Sequence, residues 1–208
     1  MRDSIARRDS QLFTPGEAAA VAGVPVKAVY KTTAKRLPRA AVVRRSGQTY
    51  LTPAAVICVR LDYDLPKDVP VKVRRFVFDK LREGHSGRVE FGEEIFSYVV
   101  DPRAAVAAVE DRIRSYRKAM KMIVENPEIQ GGAATFKGTR LLVHQIVELL
   151  GQGVSEKELV EDYPSLTPAM IQAARIFAQA HPRRGRPRKP SWRTAHPLKT
   201  EMVRRRSA

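Results

Sequence analysis

The sequence predicts a mainly α-helical protein: a small helix-turn-helix unit with a β-hairpin, then a long helix, a three-helix bundle and a basic extended tail. Three observations predict it. Helix starts marked by Thr-Pro pairs and a Ser-x-x-Glu box recur along the chain, apolar residues between them fall three and four apart, and the β-prone runs are short and joined by turns. The 208 residues are 43% hydrophobic and 29% charged, which suits a folded chain of one or two domains rather than a disordered one. No apolar run approaches the roughly 18 residues of a membrane helix, and charges interrupt the N-terminal stretch where a secretory signal would be apolar. A cytoplasmic location with no membrane partner is therefore expected.

The formal net charge of +16 is unevenly spread. Residues 1–61 hold 11 Lys or Arg against 3 Asp or Glu, residues 62–180 hold 17 against 18, and residues 181–208 hold 10 against 1. Two basic ends flank a neutral middle, so two separate anionic partners, or two contacts on one partner, are expected, with nucleic acid or another acidic surface as the ligand. Cys58, the one cysteine, lies in the apolar run Ala54–Val59 and reads as a small buried hydrophobe. It permits neither an intrachain disulfide nor a cysteine metal site.

The first element is a helix opened by Thr14-Pro15-Gly16-Glu17, a capping box with proline at the first helical position. Gly23 ends it and Val24-Pro25 restarts a second helix, which is helix-turn-helix spacing. In that second helix Val26, Val29 and Thr33 are expected to share one face, with Lys27, Lys31 and Lys35 lining the opposite one around Tyr30. Ala41–Leu51 then contains two β-prone runs joined by Ser46-Gly47, with Arg44 and Arg45 near the tip, and is read as a wing. Thr52-Pro53 caps a further helix from about Ala54 to Leu61. The order helix, helix, hairpin, helix over residues 1–63 resembles a winged helix-turn-helix of the MerR-like type. Candidate DNA-binding residues are Lys27, Tyr30, Lys31, Lys35, Arg44 and Arg45.

Residues 64–122 are read as connecting structure: a linker at Asp64–Lys67, a helix over Val71–Arg82, and a small hairpin from Arg88–Phe91 and Ile95–Val100. A long helix follows Asp101-Pro102. Its residues Val106, Val109, Ile113, Tyr116 and Met120 have the spacing of a packing seam, serving either the monomer or a dimer, and Glu110 precedes Arg114 as a surface pair. Over residues 123–180 an apolar helix at Val143–Leu150 is followed by a Gly151–Gly153 turn, a capping box at Ser155–Glu158 and a third helix capped by Thr167-Pro168. This suggests a homeodomain-like bundle. Its last helix carries Met170, Ile171, Ala174 and Phe177 with Arg175 as its cation, so it is expected to serve a core or dimer interface rather than a groove.

The stretch Asn126-Pro127-Glu128-Ile129, Gly131-Gly132 and Phe136-Lys137-Gly138-Thr139-Arg140 is not a phosphate loop, because Lys137 precedes Gly138 instead of following it. With Gly153-Val154-Ser155 and Asp162–Thr167 it resembles the domain of unknown function 433. With a winged helix-turn-helix ahead of it, the chain is similar to VapB-type antitoxins paired with a PIN-like ribonuclease toxin. The resemblance implies an antitoxin that inhibits that toxin and represses its own operon by binding operator DNA; a homodimer is expected from the two apolar faces, the seam Val106–Met120 and the helix face Met170–Phe177.

Residues 181–208 are rich in proline and cations and have no apolar periodicity. Three readings stand for this tail. Arg183, Arg184, Arg186 and Arg188, with Trp192 as anchor, would enter the carboxylate-lined metal site that the resemblance implies for the toxin. Alternatively Arg184-Gly185-Arg186-Pro187 is an AT-hook-like arm for the minor groove, or the segment is a solvated tail that adds non-specific affinity. His85, His144, His181 and His196 have no metal-ligand spacing, and Glu93-Glu94 and Glu156/Glu158 have ordinary surface and capping roles. No enzyme activity, catalytic residue, metal or cofactor is expected. The alternative to an antitoxin is a stand-alone transcriptional regulator without a toxin.

Overall fold

The computed structural model describes residues 12–35, 37, 41–85, 87–93 and 96–182. Among them the chain forms eight α-helices and three two-stranded antiparallel sheets, a mainly α fold. Helix α1 (Pro15–Ala22) starts at the expected capping box, in which Glu17 Oε2 accepts from the Thr14 N–H at 2.7 Å. It stops at Gly23, whose φ of 66° is the left-handed conformation that glycine takes without a Cβ penalty. Helix α2 (Val26–Lys35) follows α1 after three residues, Gly23, Val24 and Pro25. Strands β1 (Val42–Arg45) and β2 (Gln48–Leu51) pair with Arg45 opposite Gln48, turned by Ser46 and Gly47 at φ 47° and 75°. Phe13 adds a short bridge to Leu51, unforeseen because one residue leaves no periodic trace.

Helix α3 (Pro53–Asp64) is capped by Thr52, and α4 (Val71–Arg82) runs to the turn at Gly84. The hairpin of β3 (Val89–Glu93) and β4 (Phe96–Val100) leads into α5 (Arg103–Met122). Strands β5 (Ile123–Val124) and β6 (Thr135–Phe136) bracket the glycine-containing loop. Helices α6 (Val143–Gly151), α7 (Glu156–Asp162) and α8 (Pro168–Ala180) complete the described chain. None of its helices is long and apolar enough to cross a membrane.

Helix α5 is the spine. Val109, Ile113 and Tyr116 close a core with Phe13, Val21, Val29, Leu51 and Val56 of the N-terminal unit. Ala105 and Val106 join a second core built on Cys58, Val77, Phe78 and Leu81, and Met120 packs against a third made by Phe136, Ile146, Leu159, Ile171 and Phe177. The seam expected on this helix is thus consumed inside one chain. The apolar side of α8 is consumed likewise, with Ile171, Ala174 and Phe177 buried, which fits the core role expected of it. Neither face is left over for a second copy, so the two apolar surfaces that suggested a dimer do not argue for one. On the surface of α5, Arg114 pairs with Asp111, three residues back.

Helix α8 packs on α5 and α6 and also on α1. Ala180 belongs to the same core as Val21 and Val29, and its carbonyl oxygen lies 2.6 Å from where a Cβ on Gly16 would stand. Only glycine leaves room for so close an approach of two backbones. The C-terminal bundle is therefore seated directly on the first helix of the N-terminal unit.

Candidate nucleic-acid interface

At 3.6 residues per turn, Val26, Lys27, Tyr30, Lys31 and Ala34 fall within one sector of α2, and all five are exposed. Val29 and Thr32 occupy the opposite sector and are buried. The expected grouping of Val26 with Val29 is corrected here: Val26 is 44% exposed and stands next to Tyr30, itself 59% exposed. Four residues separate Val26 from Tyr30 but only three separate it from Val29, and the core boundary runs between those two directions. Thr33 donates to the Val29 carbonyl at 2.7 Å and is half-buried. The exposed face thus combines two lysines, a phenol and a valine. The Lys35 side chain lies outside the described residues.

What holds this face outward is a buried polar latch. Thr32 Oγ1 donates to Asp62 Oδ2 at 2.7 Å, and Asp62 Oδ1 accepts from Arg74 Nη1 at 2.9 Å. Arg74 also donates to the Asp62 and Val69 carbonyls, each at 3.0 Å, and to that of Pro66. With Arg74 at 1% exposure and Asp62 at 7%, a charged pair is enclosed where water cannot replace either partner. Asp62 of α3 thereby links α2 to α4, and Arg74 of α4 holds α3 and the segment between them. Sequence reasoning missed it, since Arg74 looked like one more cation beside Lys72 and Arg75. The one hint is Asp62, an acid in a helix otherwise apolar on that side.

The surface around α2 is cationic for a simple reason. Between Val24 and Leu61 the chain has eight Lys or Arg and no Asp or Glu. The first two acids that follow are occupied: Asp62 by Arg74, and Asp64 by Arg60 Nε at 2.7 Å. Among the described residues, Lys27, Lys31, Arg44 and Arg45 have no carboxylate partner. Arg44 and Arg45 are both exposed at the hairpin end, although neighbouring strand residues point to opposite faces. They therefore project from two sides of the hairpin rather than forming one patch.

At the other end of α1, Tyr116 Oη donates to Glu17 Oε1 at 2.6 Å. Burial and the adjacent carboxylate push the phenol well above its usual range, so it remains a donor. His181 Nε2 lies 3.3 Å from Tyr116 Oη and 3.5 Å from Glu17 Oε1, and its ring stacks on Phe177 with centroids 4.6 Å apart. Glu17, the cap residue of α1, thus also anchors the end of α8. Of the tail candidates Arg183, Arg184, Arg186, Arg188 and Trp192, all lie outside the described residues, as does His196.

Residues 123–178 match the family described as Protein of unknown function (DUF433). This segment runs from β5 into α8, where the expected resemblance placed it. A curated relative, uncharacterized protein y4eO of Sinorhizobium fredii (strain NBRC 101917 / NGR234), is 30% identical over 89 residues, or 43% of this chain. That stretch covers 40% of the relative's own length. No solved structure matches the chain.

Proposed function

We propose that this protein binds double-stranded DNA, presenting the exposed face of α2 to the major groove while the β1–β2 hairpin contacts the flanking backbone. The observation that carries the reading is the acid-free cationic surface of Val24–Leu61, displayed by a helix of fitting size whose outward face holds Lys27, Tyr30 and Lys31. A recognition helix enters the groove with its N-terminal residues on the base edges, which assigns Val26 and Lys27 to base contact and Lys31 to phosphate. The winged helix-turn-helix of MerR-like type is part of this proposal. So is transcriptional repression.

The antitoxin role rests on the resemblance of the chain to VapB-type antitoxins, in which a winged unit stands ahead of a segment like residues 123–178; the family that segment matches is itself of unknown function. In this reading the protein is cytoplasmic, represses its own operon as a homodimer on a roughly palindromic site, and inhibits a PIN-like ribonuclease. Half-sites would lie about 10–21 base pairs apart. The dimer would have to form through surfaces other than α5 and the apolar side of α8.

The test is fluorescence anisotropy with a duplex taken from directly upstream of the protein's own coding sequence, titrated at several salt concentrations. The parent chain should show a steep salt dependence, and a Lys27→Ala/Lys31→Ala/Arg45→Ala variant should lose affinity and lower the slope by about 0.9 per phosphate contact removed. Equal affinity and equal slope for parent and variant would reject the reading.

A further inference from the structure

The N-terminal and C-terminal units meet beside the start of α2, and a cleft lies between them. It is open, about 570 Å³ in volume, with Gly23, Val24, Pro25 and Val26 on one side and Arg112 of α5 and Gln179 of α8 on the other. The first wall is the turn of the helix-turn-helix and the first residue of α2. Val26, 44% exposed, belongs both to this wall and to the outward face that carries Lys27 and Tyr30. The cleft is therefore continuous with the surface assigned to the major groove.

Its polar groups are few and held in place. The Arg112 guanidinium lies over Gly23, with Cζ 2.7 Å and both terminal nitrogens 3.0 Å from where a Cβ on that glycine would stand. Asp111, the acid next to it in sequence, pairs with Arg114, and Arg112 has no carboxylate partner among the described residues. The Ala22 carbonyl at the end of α1 already accepts from Arg60 at 3.4 Å. Gln179 is exposed and immediately precedes Ala180, whose carbonyl meets Gly16. Both polar side chains thus stand on helices packed against α1, so no rearrangement is needed to bring them to the turn. A guanidinium without a counter-charge and an amide donor, set over apolar walls, fit a strand in which phosphate alternates with deoxyribose. Arg112 and Gln179 would donate to the phosphate while Val24 and Pro25 pack on the sugar.

We infer that this cleft seats the sugar–phosphate backbone of one DNA strand at the edge of the major groove entered by α2, with Arg112 as the phosphate ligand and Gln179 as a second donor. The inference rests on the proposal that α2 engages DNA. It makes the C-terminal unit part of the DNA-binding surface: α5 and α8 hold the backbone while α2 reads the bases. Phosphate contacts set register and orientation but carry no sequence information, so Arg112 acts alike on operator and on unrelated duplex.

The experiment uses the full chain and its Arg112→Gln, Arg112→Lys and Gln179→Ala variants, with the duplex from upstream of its own coding sequence and a scrambled duplex of equal length. Arg112→Gln should weaken binding to both duplexes by about tenfold, the loss of one charge-assisted hydrogen bond, and lower the salt slope by about 0.9. Arg112→Lys should keep the parental slope, because the charge remains. Gln179→Ala should weaken binding by about fivefold with the slope unchanged. In ethylation interference, phosphates at one edge of the site that block the parent when alkylated should cease to matter for Arg112→Gln, while the remainder stay sensitive. Both side chains are exposed, so thermal melts matching the parent separate a lost contact from a lost fold. If Arg112→Gln binds with parental affinity and slope while Lys27→Ala/Lys31→Ala is impaired, the cleft takes no DNA and the inference falls. If Arg112→Gln binds DNA as the parent does yet abolishes amide shifts that sodium hexanoate produces at Gly23 and Val24, the occupant is a small carboxylate and the inference falls likewise. If Lys27→Ala/Lys31→Ala leaves affinity untouched, the failure is that of the underlying reading instead.

Discussion

Replacing Arg74 with methionine should be among the most damaging single substitutions in the N-terminal half. The side chain is fully enclosed and makes four hydrogen bonds, one of them to the buried Asp62 carboxylate. Removing the guanidinium leaves that carboxylate with only the Thr32 hydroxyl facing it among these partners, and removing one member of a buried ion pair costs about 3–5 kcal/mol. Domains are stable by about 5–15 kcal/mol, and each kcal/mol shifts the midpoint by about 2–4 °C in a chain of this size. The Arg74→Met melt, followed by circular dichroism, should therefore fall by about 6–20 °C. The double variant Arg74→Met/Asp62→Leu should recover much of the loss, since exchanging both charges for apolar groups is often neutral. Thr32→Val is the milder probe. It removes one hydrogen bond to a charged group, about 1.5–3 kcal/mol, and should weaken DNA binding more than its melt suggests, because the latch orients α2. An Arg74→Met midpoint within 2 °C of the parent would refute the argument that this pair holds the helix.

Two further outcomes follow from the same geometry. Gly16→Ala should destabilise the chain by about 1–3 kcal/mol in urea unfolding, because the new methyl would stand 2.6 Å from the Ala180 carbonyl oxygen and one helix must shift; Gly131→Ala, where φ is positive but space is open, tests strain alone. Asp101 accepts hydrogen bonds from the side chain and backbone of Arg103, which lower its pKa to about 2. Its folded value lies below the unfolded one, so the small contribution is complete above about pH 4 and lost as pH falls through about 2, and NMR titration of Arg103→Ala should return the carboxyl toward about 3.9.

The helices were legible where their signals are local. Thr14 to Glu17, Ser155 to Glu158 and Thr167-Pro168 each cap a helix at the expected residue, because a cap is a contact between side chain and backbone three positions apart. Ser46-Gly47 specified its hairpin equally well, since the strand twist demands positive φ at both turn positions. The family match over residues 123–178 was likewise written in a contiguous motif. Spacing alone did not reveal what each apolar face meets. Periodicity shows that α5 has a seam but carries no information on whether the opposing surface belongs to the same chain, and here the part facing Val109, Ile113 and Tyr116 is supplied mainly by residues some 50 to 100 positions earlier, while Met120 meets residues that follow it. Val26 was assigned inward by its spacing from Val29, yet the core boundary over α2 is drawn by α1 and α3. The Arg74–Asp62–Thr32 latch joins three helices across 42 residues, and each partner is ordinary in its own neighbourhood. Nor does either segment by itself encode the closure of α8 on α1, which Gly16 permits through a contact between residues 164 positions apart.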